Sequence, residues 1–423
     1  MSPPLDRFDA WCVEAGISRD ERASFTCDER TGAGLSASAC IAPGTAVLRI
    51  PKEASFSISQ LSRAAHGIEP ALAPLFASLD HTNALALAVC LQTDKSDPSQ
   101  GRYGPWAALW PADAVGGWAI AEEDWQELCW WPELREVHAQ QEAAARAAYE
   151  HSVQYFATNS LGQPPSWERF CWACSVISSR AVAVEMCSET QPALVPLLDL
   201  LNHQTSQKVN CTICYEQAEE GDLFVVLTKR QVEPGEELTI CYGKKDNAAL
   251  AAGYGFAMEE NEFDTVMLRV PLGLENDPIT AQRVGMLPSG MATLDVETDN
   301  SSEKSVRVVL YWDTKECESA LSADLWSPSI STEMLLVLAL ANSNGISELF
   351  LAMGRASNGN GTDAEWGLLQ KCCEVALTSL PQGNIAADHP SRPWNTIAQA
   401  GLQSRRAMLA RTIAFVKGQN SNE

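Results

Sequence analysis

Residues 195–203, VPLLDLLNH, form an apolar run that carries one carboxylate, Asp199, and ends in an amide beside an imidazole, Asn202-His203. A run of this length and composition is typical of a buried strand or short helix, and asparagine commonly opens a turn. On this interpretation Asp199 lies at the edge of the core and Asn202-His203 begins a turn. This interpretation explains the apolar residues. It does not explain why Asp199, Asn202 and His203 lie in such a run, and the rest of the chain must supply the reason.

The segments around this run are strand-like and are separated by a helical one. Residues 31–58 are punctuated by glycine, and residues 59–185 are rich in Ala, Leu, Trp, Glu and Gln with helical spacing. Strand patterns return at residues 194–256, where Pro234-Gly235 repeats the earlier Pro43-Gly44 turn. The sequence therefore predicts a β domain interrupted by a helical insertion. After about residue 260 the pattern is mixed and then mainly helical.

The charge of the chain limits its partners. Thirty basic and fifty-four acidic residues give a net charge of −24 over 423 residues. This charge argues against a nucleic-acid partner bound through its phosphates, and it suits a basic peptide or protein surface better. Simple solubility explains an acidic composition equally well.

Targeting signals are not evident in the sequence. The opening residues, MSPPLDRFDAWCVEAGI, lack a basic region followed by an apolar core, and the apolar block at residues 334–341 is too short to cross a bilayer. We therefore expect no membrane partner and a location in the cytosol or nucleus. A monomer is the default expectation.

Two CxxC pairs, Cys171/Cys174 and Cys211/Cys214, raise the possibility of a zinc site. The first pair lies in a predicted helix and the second in an alternating stretch, where an offset of three places the two sulfurs on opposite strand faces. Structural zinc pairs usually lie on a tight knuckle. We therefore expect reduced, buried thiols and no metal site.

Three separated pieces carry the residues that point to a family. They are Gly32-Ala33-Gly34, the Asp199 to His203 run, and YGKKDNAALAAGYGF, which starts at Tyr242. Together they resemble the SET-domain methyltransferases, and most closely the subgroup typified by the Rubisco large-subunit lysine methyltransferase. The segments RYGPWAALWPAD and FCWACSVISSRAV and the final arginine-rich helix also resemble that subgroup, so the resemblance covers nearly the whole chain.

The resemblance implies the fold class and the domain organisation. The expected fold is α+β: a β-rich SET domain with a helical insertion, followed by a mostly α-helical substrate-binding domain. The expected parts are residues 20–58 and 186–258 for the SET domain, 59–185 for the insertion and 259–423 for the C-terminal domain.

The resemblance also implies a cofactor, S-adenosylmethionine, and a set of site residues. Glycines let a backbone approach a ligand closely, although Gly-x-Gly also suits an ordinary hairpin turn. Tyr242 is the expected catalytic residue, because methyl transfer is an in-line displacement that needs an oriented acceptor nitrogen and exclusion of water. The expected cofactor contacts are Gly32, Ala33, Gly34, Asn202, His203, Tyr242 and Phe256. The expected substrate contacts are Arg180, Asp199, Tyr215 and Tyr254.

Three functions follow from this resemblance. The first is a protein-lysine N-methyltransferase acting on a non-histone protein, because the cysteine cluster that follows many histone-directed SET domains is absent. The second keeps fold and cofactor but transfers the methyl group to a histidine ring nitrogen. The third is a SET-like binding module without catalysis, which the intact Asn202-His203 and Tyr242 argue against. Two positions depart from the family pattern: Thr31 precedes the first glycine, and Tyr215 does not align cleanly.

Overall fold

A computed structural model describes residues 3–28, 32–63, 68–93, 102–186, 189–217, 221–274, 277–285, 297–298, 303–313, 327–329, 332–342, 362–382 and 394–419. The chain divides into two compact units. The first unit comprises Met1–Trp125, Leu134–Lys244 and Ala249–Gly255, and the second comprises Gln126–Glu133, Lys245–Ala248 and Phe256–Glu423. Thr31 lies outside the described residues.

The described helices are, in chain order, α1 (Pro3–Glu14), α2 (Ile58–Arg63), α3 (Ala73–Ser78), α4 (His81–Gln92), α5 (Gly104–Ala107), α6 (Glu122–Glu127), α7 (Pro132–Asn159), α8 (Trp167–Arg180), α9 (Asn247–Tyr254), α10 (Pro278–Gly285), α11 (Thr332–Asn342), α12 (Asp363–Ser379) and α13 (Asn395–Gln419). Short 3-10 turns lie at Lys52–Ala54, Pro70–Leu72, Gly116–Ala119 and Leu198–Leu200. The helices α2 to α8 occupy the stretch for which the sequence predicts a helical insertion. A helical insertion is confirmed, whereas its predicted bounds, residues 59–185, stay a prediction.

The described strands are β1 (Ser18–Arg19), β2 (Ala23–Asp28), β3 (Gly32–Ala37), β4 (Ala46–Pro51), β5 (Val182–Met186), β6 (Glu189–Ala193), β7 (Asn202–His203), β8 (Cys211–Glu216), β9 (Leu223–Thr228), β10 (Thr239–Ile240), β11 (Thr265–Leu274), β12 (Glu297–Thr298), β13 (Glu303–Asp313) and β14 (Ser327–Ser329). Strands flank the helical insertion on both sides. The predicted α+β class, with an interrupted β domain, is confirmed.

The β part of the first unit consists of small sheets. One has the order β1-β4-β9-β8, and β2 pairs with β3, β5 with β6 and β7 with β10. Both predicted Pro-Gly turns are present, with Gly44 and Gly235 in the left-handed region at φ +74° and +84°. The two turn segments bridge each other through Ile41 and Val232. The two similar segments, far apart in sequence, are therefore neighbours in the fold.

The core of the first unit joins these sheets to the helical insertion. Leu48 and Ile50 of β4 are buried, and Arg49 between them is exposed. Phe56, Trp106 and Phe170, from three separate elements, have no exposed surface. Burying each large apolar side chain contributes about 1.5–3 kcal/mol, so this shared core fixes the helices on the sheets.

The second unit contains a sheet that packs against three of its described helices. Strands β11 and β13 pair antiparallel from Thr265↔Tyr311 to Leu274↔Glu303, and β12 and β14 extend the same sheet. One face of β11 and β13 is apolar and buried together with α11, α12 and α13. The predicted helical C-terminal region is confirmed, but the prediction did not include this sheet.

A buried polar network ties the second unit together. Asp264 accepts hydrogen bonds from the backbone N–H and side-chain amide of Asn247, at 2.9 and 2.8 Å, and from the Ser404 hydroxyl. Nearby, Glu133 forms an ion pair with Arg405 at 2.9 Å and accepts a hydrogen bond from the Met267 N–H at 2.8 Å. Burial raises the pKa of Asp264 to about 6.

The CxxC cysteines lie where the sequence predicts. Cys171 and Cys174 lie in helix α8, and Cys211 and Cys214 lie in strand β8. Burial raises the pKa of Cys171 to about 11 and that of Cys211 to about 12, so both are protonated thiols near neutral pH. In the part of the chain that the structure describes, no group of three or more His, Cys, Asp or Glu residues is arranged to hold a metal ion. Among the same residues, no helix has both the length and the apolar character needed to cross a bilayer.

Candidate active site

The site is organised by a short parallel pairing of β7 with β10, in which Asn202 faces Thr239 and His203 faces Ile240. The Gln204 N–H continues the pairing by donating to the Ile240 carbonyl at 3.0 Å. Just after β10, the Tyr242 N–H donates to the Nδ1 of His203 at 3.0 Å. The Asn-His pair is therefore brought beside Tyr242, forty residues later in the sequence.

The chain enters this pairing through a strained bend. Leu197 has a φ of +64°, which is uncommon for any residue except glycine, and the 3-10 turn Leu198–Leu200 follows directly. Backbone strain of this kind costs of the order of 1–3 kcal/mol and tends to occur at functional sites. Here the bend buries the Asp199 side chain completely and turns the Leu201 carbonyl toward Tyr242.

Tyr242 lies at the centre of the site. Its hydroxyl donates to the Leu201 carbonyl at 2.9 Å, and its ring stacks on Tyr254 with the centroids 4.8 Å apart. The His203 ring lies 5.1 Å from the Tyr242 ring. Burial, together with the neighbouring Tyr254, raises the pKa of Tyr242 well above its ordinary value. Tyr242 therefore remains a neutral phenol near neutral pH, suited to orienting a group rather than to removing a proton.

A buried ion pair lies next to Tyr242. The Arg180 Nη1 donates to the Asp199 carbonyl at 3.1 Å and contacts its carboxylate at 3.4 Å, and Trp106 Nε1 donates to the same carboxylate at 3.0 Å. Burial raises the pKa of Asp199, although Arg180 and Trp106 act in the opposite direction. Asp199 Oδ1 and Arg180 Nε are buried and have no hydrogen-bond partner among the described residues.

The glycine segment reaches the site as strand β3, and not as the hairpin turn that Gly-x-Gly also suits. It pairs antiparallel with β2, and the Leu35 carbonyl accepts a hydrogen bond from the Leu238 N–H at 2.7 Å. Gly34 is buried, and a Cβ on it would lie 2.8 Å from Glu237 Oε1 and 3.2 Å from Asn202 Nδ2. Gly32 is exposed, with φ +78° and nothing within 4 Å of an added Cβ. The backbone at Gly32 is therefore accessible to a ligand, whereas Gly34 is in close contact with the Asn202 side chain.

Glu237 is a site residue that the sequence interpretation missed. Its carboxylate accepts a hydrogen bond from the Asn202 side-chain amide at 2.6 Å. Among the hydrogen bonds of the described residues, the Asn202 side chain uses only this amide nitrogen, so its carbonyl oxygen is left as an acceptor. The signal for Glu237 was the GEEL segment next to Thr239, which was interpreted only as a turn followed by a strand.

Among the described contacts, Tyr215 is not joined to this group. Tyr215 lies in β8, where its hydroxyl bonds Lys52 and Asp222 and its ring contacts Phe224. Phe224 lies in strand β9 of the four-stranded sheet, and Lys52 and Asp222 lie next to the ends of β4 and β9. Phe256 falls in the second unit. The site roles of both residues stay predictions.

The arrangement defines a SET domain: an Asn-His strand beside a glycine strand, followed by a buried tyrosine, in a β domain split by helices. The family model of the SET domain matches residues 32–243, just over half of the chain. The protein therefore belongs to the SET-domain family.

Relatives with assigned activities match parts of the chain. Ribosomal lysine N-methyltransferase set10 of Schizosaccharomyces pombe is 33% identical over 110 residues, which is 25% of this chain and 20% of the relative. The actin-histidine N-methyltransferase of Danio rerio is 25% identical over 273 residues, which is 62% of this chain and 43% of the relative. Both matches span less than half of the relative's length.

A solved structure matches the whole chain in its fold. Rubisco LSMT bound to AdoMet superposes with a TM-score of 0.66 at 18% identity, covering 100% of this chain and 93% of the other. The predicted resemblance to the Rubisco methyltransferase subgroup is confirmed at the level of fold.

The residues of the site fit the cofactor that this family implies. The exposed backbone at Gly32 provides hydrogen-bonding groups without a side chain in the way, and the open carbonyl oxygen of Asn202 provides an acceptor. The Glu237 carboxylate next to Gly34 provides negative charge for a cationic ligand. S-adenosylmethionine carries both an ammonium and a sulfonium group, so its charges match these donors and acceptors.

Proposed function

We propose that the protein is an S-adenosylmethionine-dependent protein-lysine N-methyltransferase that acts on a non-histone protein. The observation that supports this most directly is the Tyr242 phenol, which is neutral, donates to the Leu201 carbonyl and is stacked on Tyr254. The phenol and the carbonyl place two oxygen atoms beside each other, next to the Asn202-His203 strand. Two oxygen atoms can each accept a hydrogen bond from an amine N–H group, which fixes the direction of the nitrogen lone pair.

The bound cofactor supplies a methyl group on a positively charged sulfur, which is reactive toward an uncharged amine. A lysine ammonium with a pKa of about 10.4 must first lose its proton to solvent, at a cost of about 4 kcal/mol near neutral pH. Burial around Tyr242 and Tyr254 lowers this cost, because desolvation disfavours the ammonium form. The Tyr242 hydroxyl and the Leu201 carbonyl then orient the neutral amine, and the stacked rings exclude water.

The roles of the site residues follow from these contacts. In the proposal, Gly32, Ala33, Gly34, Asn202, His203, Tyr242 and Phe256 hold the cofactor, and Arg180, Asp199, Tyr215 and Tyr254 shape the acceptor channel. The Arg180–Asp199 ion pair acts electrostatically on Tyr242, which supports a polar wall for this channel. Residues 259–423 form the substrate-docking domain in this proposal.

The charge of the chain supports a basic protein as substrate. A net charge of −24 attracts a basic surface over a long range and speeds its association at low salt. The set10 match, to an enzyme whose name states ribosomal lysine methylation, agrees with a basic substrate. The proposed site of action is the cytosol or nucleus.

A histidine acceptor is the second candidate, and it is favoured by one observation. The match to the actin-histidine N-methyltransferase covers 62% of this chain, far more than the set10 match. The two candidates share the fold and the cofactor but differ in the modified atom.

The deciding experiment incubates the protein with isotopically labelled cofactor and a cell lysate, followed by mapping of labelled residues by mass spectrometry. Label on lysine supports the proposal, whereas label on histidine selects the second candidate. A SET-like module without catalysis predicts no label even though the cofactor raises the melting temperature.

Tyr242→Phe tests the assigned role of the phenol. We expect cofactor affinity within a few-fold of wild type, because the Tyr242 backbone contact to His203 is kept. Turnover should fall about 100-fold, because misplacing a reacting group by about 1 Å costs a factor of this size. Tyr155→Phe is a matched control, since the Tyr155 hydroxyl also donates to a backbone carbonyl, that of Ala71, at 2.9 Å, but lies outside the site. Equal turnover in the two variants would remove Tyr242 from its role.

A further inference from the structure

The helical insertion contributes a pair of glycines that packs against the last turn of α9. Gly116 and Gly117 begin the 3-10 turn Gly116–Ala119. Gly116 has a φ of +63°, and a Cβ on it would lie 2.3 Å from the Ala252 carbonyl oxygen and 3.1 Å from that of Ala251. The contact is therefore between backbone and backbone, with no space for a side chain.

The other side of this turn is also closed. A Cβ on Gly117 would lie 2.5 Å from the Nδ1 of His138. The His138 ring is buried, stacked on Trp125 at 5.1 Å and in edge contact with Trp118 at 5.2 Å. Close packing of three rings leaves the turn no room to move away from α9.

The end of α9 makes two further contacts, one with the same glycine turn and one with α8. Gly255 ends the helix with φ +76°, and a Cβ on it would lie 3.0 Å from the Gly116 nitrogen. A Cβ on Gly253 would be 3.6 Å from the Ser178 carbonyl of α8, an ordinary contact. Tyr254 lies between these two glycines, and its ring stacks on Tyr242. The backbone contacts of this turn thus determine where the Tyr254 ring lies.

We infer that the Gly116-Gly117 turn is a spacer that positions Tyr254, and through it Tyr242, for methyl transfer. The inference rests on the proposed function for its effect on turnover. Gly116 is a positioning residue, since its contacts are to α9 and not to the cofactor segment. A Cβ at 2.3 Å must move to about 3.5 Å or more from its neighbour, so α9 must shift by about 1 Å. A shift of this size misaligns the acceptor channel and leaves the Gly32–Asn202 side of the site in place.

Three glycines in the left-handed region give a graded test. Gly116→Ala meets backbone at 2.3 Å, Gly255→Ala meets it at 3.0 Å, and Gly44→Ala meets nothing within 4 Å. All three carry the same kind of backbone strain, about 1–2 kcal/mol, so they should lose similar stability from that cause. Only Gly116→Ala and Gly255→Ala place a Cβ in the contact between the glycine turn and α9.

The readouts are turnover, cofactor affinity and hydrogen exchange. We expect turnover to fall about 100-fold in Gly116→Ala, to fall less in Gly255→Ala and to stay within two-fold of wild type in Gly44→Ala. Cofactor affinity should change much less than turnover in Gly116→Ala and Gly255→Ala, because the Gly32–Asn202 side of the site stays in place, and it should equal the wild-type affinity in Gly44→Ala. The amides of α9, including the Gly255 N–H bonded to the Ala251 carbonyl, should exchange faster only in the first two variants.

The outcomes separate this inference from the proposed function. If Gly116→Ala does not fold, the milder Gly255→Ala carries the test against Gly44→Ala. Turnover and α9 exchange in Gly116→Ala and Gly255→Ala equal to those in Gly44→Ala would overturn the spacer inference. A wild type that neither binds the cofactor nor transfers a methyl group would refute the proposed function, and the exchange measurement would still decide whether the glycine turn holds α9.

Discussion

Substituting Gly34 by alanine tests the contact that joins the glycine strand to the Asn-His strand. Gly34 is not in the left-handed region, so alanine brings no backbone strain and favours folding by about 0.4–1 kcal/mol through the unfolded state. The added Cβ would lie 2.8 Å from Glu237 Oε1 and 3.2 Å from Asn202 Nδ2. One of the two side chains must move, which breaks their 2.6 Å hydrogen bond.

The size of the effect follows from that bond. A hydrogen bond to a charged group contributes about 1.5–3 kcal/mol, and the gain from alanine does not offset this loss within the site, because that gain acts through the unfolded state. Because Asn202 and Glu237 are the groups proposed to face the cofactor, its affinity should fall about 10- to 150-fold. Isothermal titration calorimetry with S-adenosylmethionine measures this directly.

Gly367→Ala provides the matched control. Gly367 lies in helix α12, is also outside the left-handed region and has nothing within 4 Å of an added Cβ. Alanine there should raise stability by up to about 1 kcal/mol and leave cofactor affinity unchanged. Equal cofactor affinity in the Gly34 and Gly367 variants would refute the reasoning.

Two further predictions concern buried carboxylates. Asp199→Ala leaves the Arg180 guanidinium without its carboxylate partner and should lower the free energy of unfolding by about 3–5 kcal/mol. Asp199→Asn should lower it less, and denaturant titration measures both values. A loss under 1 kcal/mol in Asp199→Ala would contradict this prediction. Burial raises the pKa of Asp264 from 3.8 to about 6, so the folded state binds the Asp264 carboxyl proton more tightly than the unfolded state does. The contribution of Asp264 to the free energy of unfolding therefore falls as the pH rises from about 4 to about 6. The total is about 3 kcal/mol. The difference in unfolding free energy between wild type and Asp264→Asn should therefore change by about that amount between pH 4 and pH 7, and a pH-independent difference would show that Asp264 titrates normally.

Much of the fold could be predicted because its signals are local. The Pro-Gly turns at Gly44 and Gly235 and the alternation in β4 are patterns within a few residues. The alternation of Val266, Leu268 and Val270 was equally available, and it indicates the sheet of the second unit that the prediction missed.

The site could be predicted only in part, because its contacts join residues far apart in the sequence. The residue types of Asn202, His203 and Tyr242 suggested a shared site, and the structure places them together. The place of Glu237 depends on the register of a two-residue parallel pairing, which no local pattern specifies. Tyr215 bonds Lys52, a residue 163 positions away, so the sequence around Tyr215 gave no sign of that neighbour.

The pairing of β7 with β10 also affects how the protein is made. During synthesis, Gly34 leaves the ribosome long before Asn202 and Tyr242, so no early folding intermediate holds a complete cofactor site. Binding of the cofactor therefore reports that the whole first unit has assembled. A ligand that binds only this finished state protects every part of the unit against unfolding, including helices of the insertion that it never contacts.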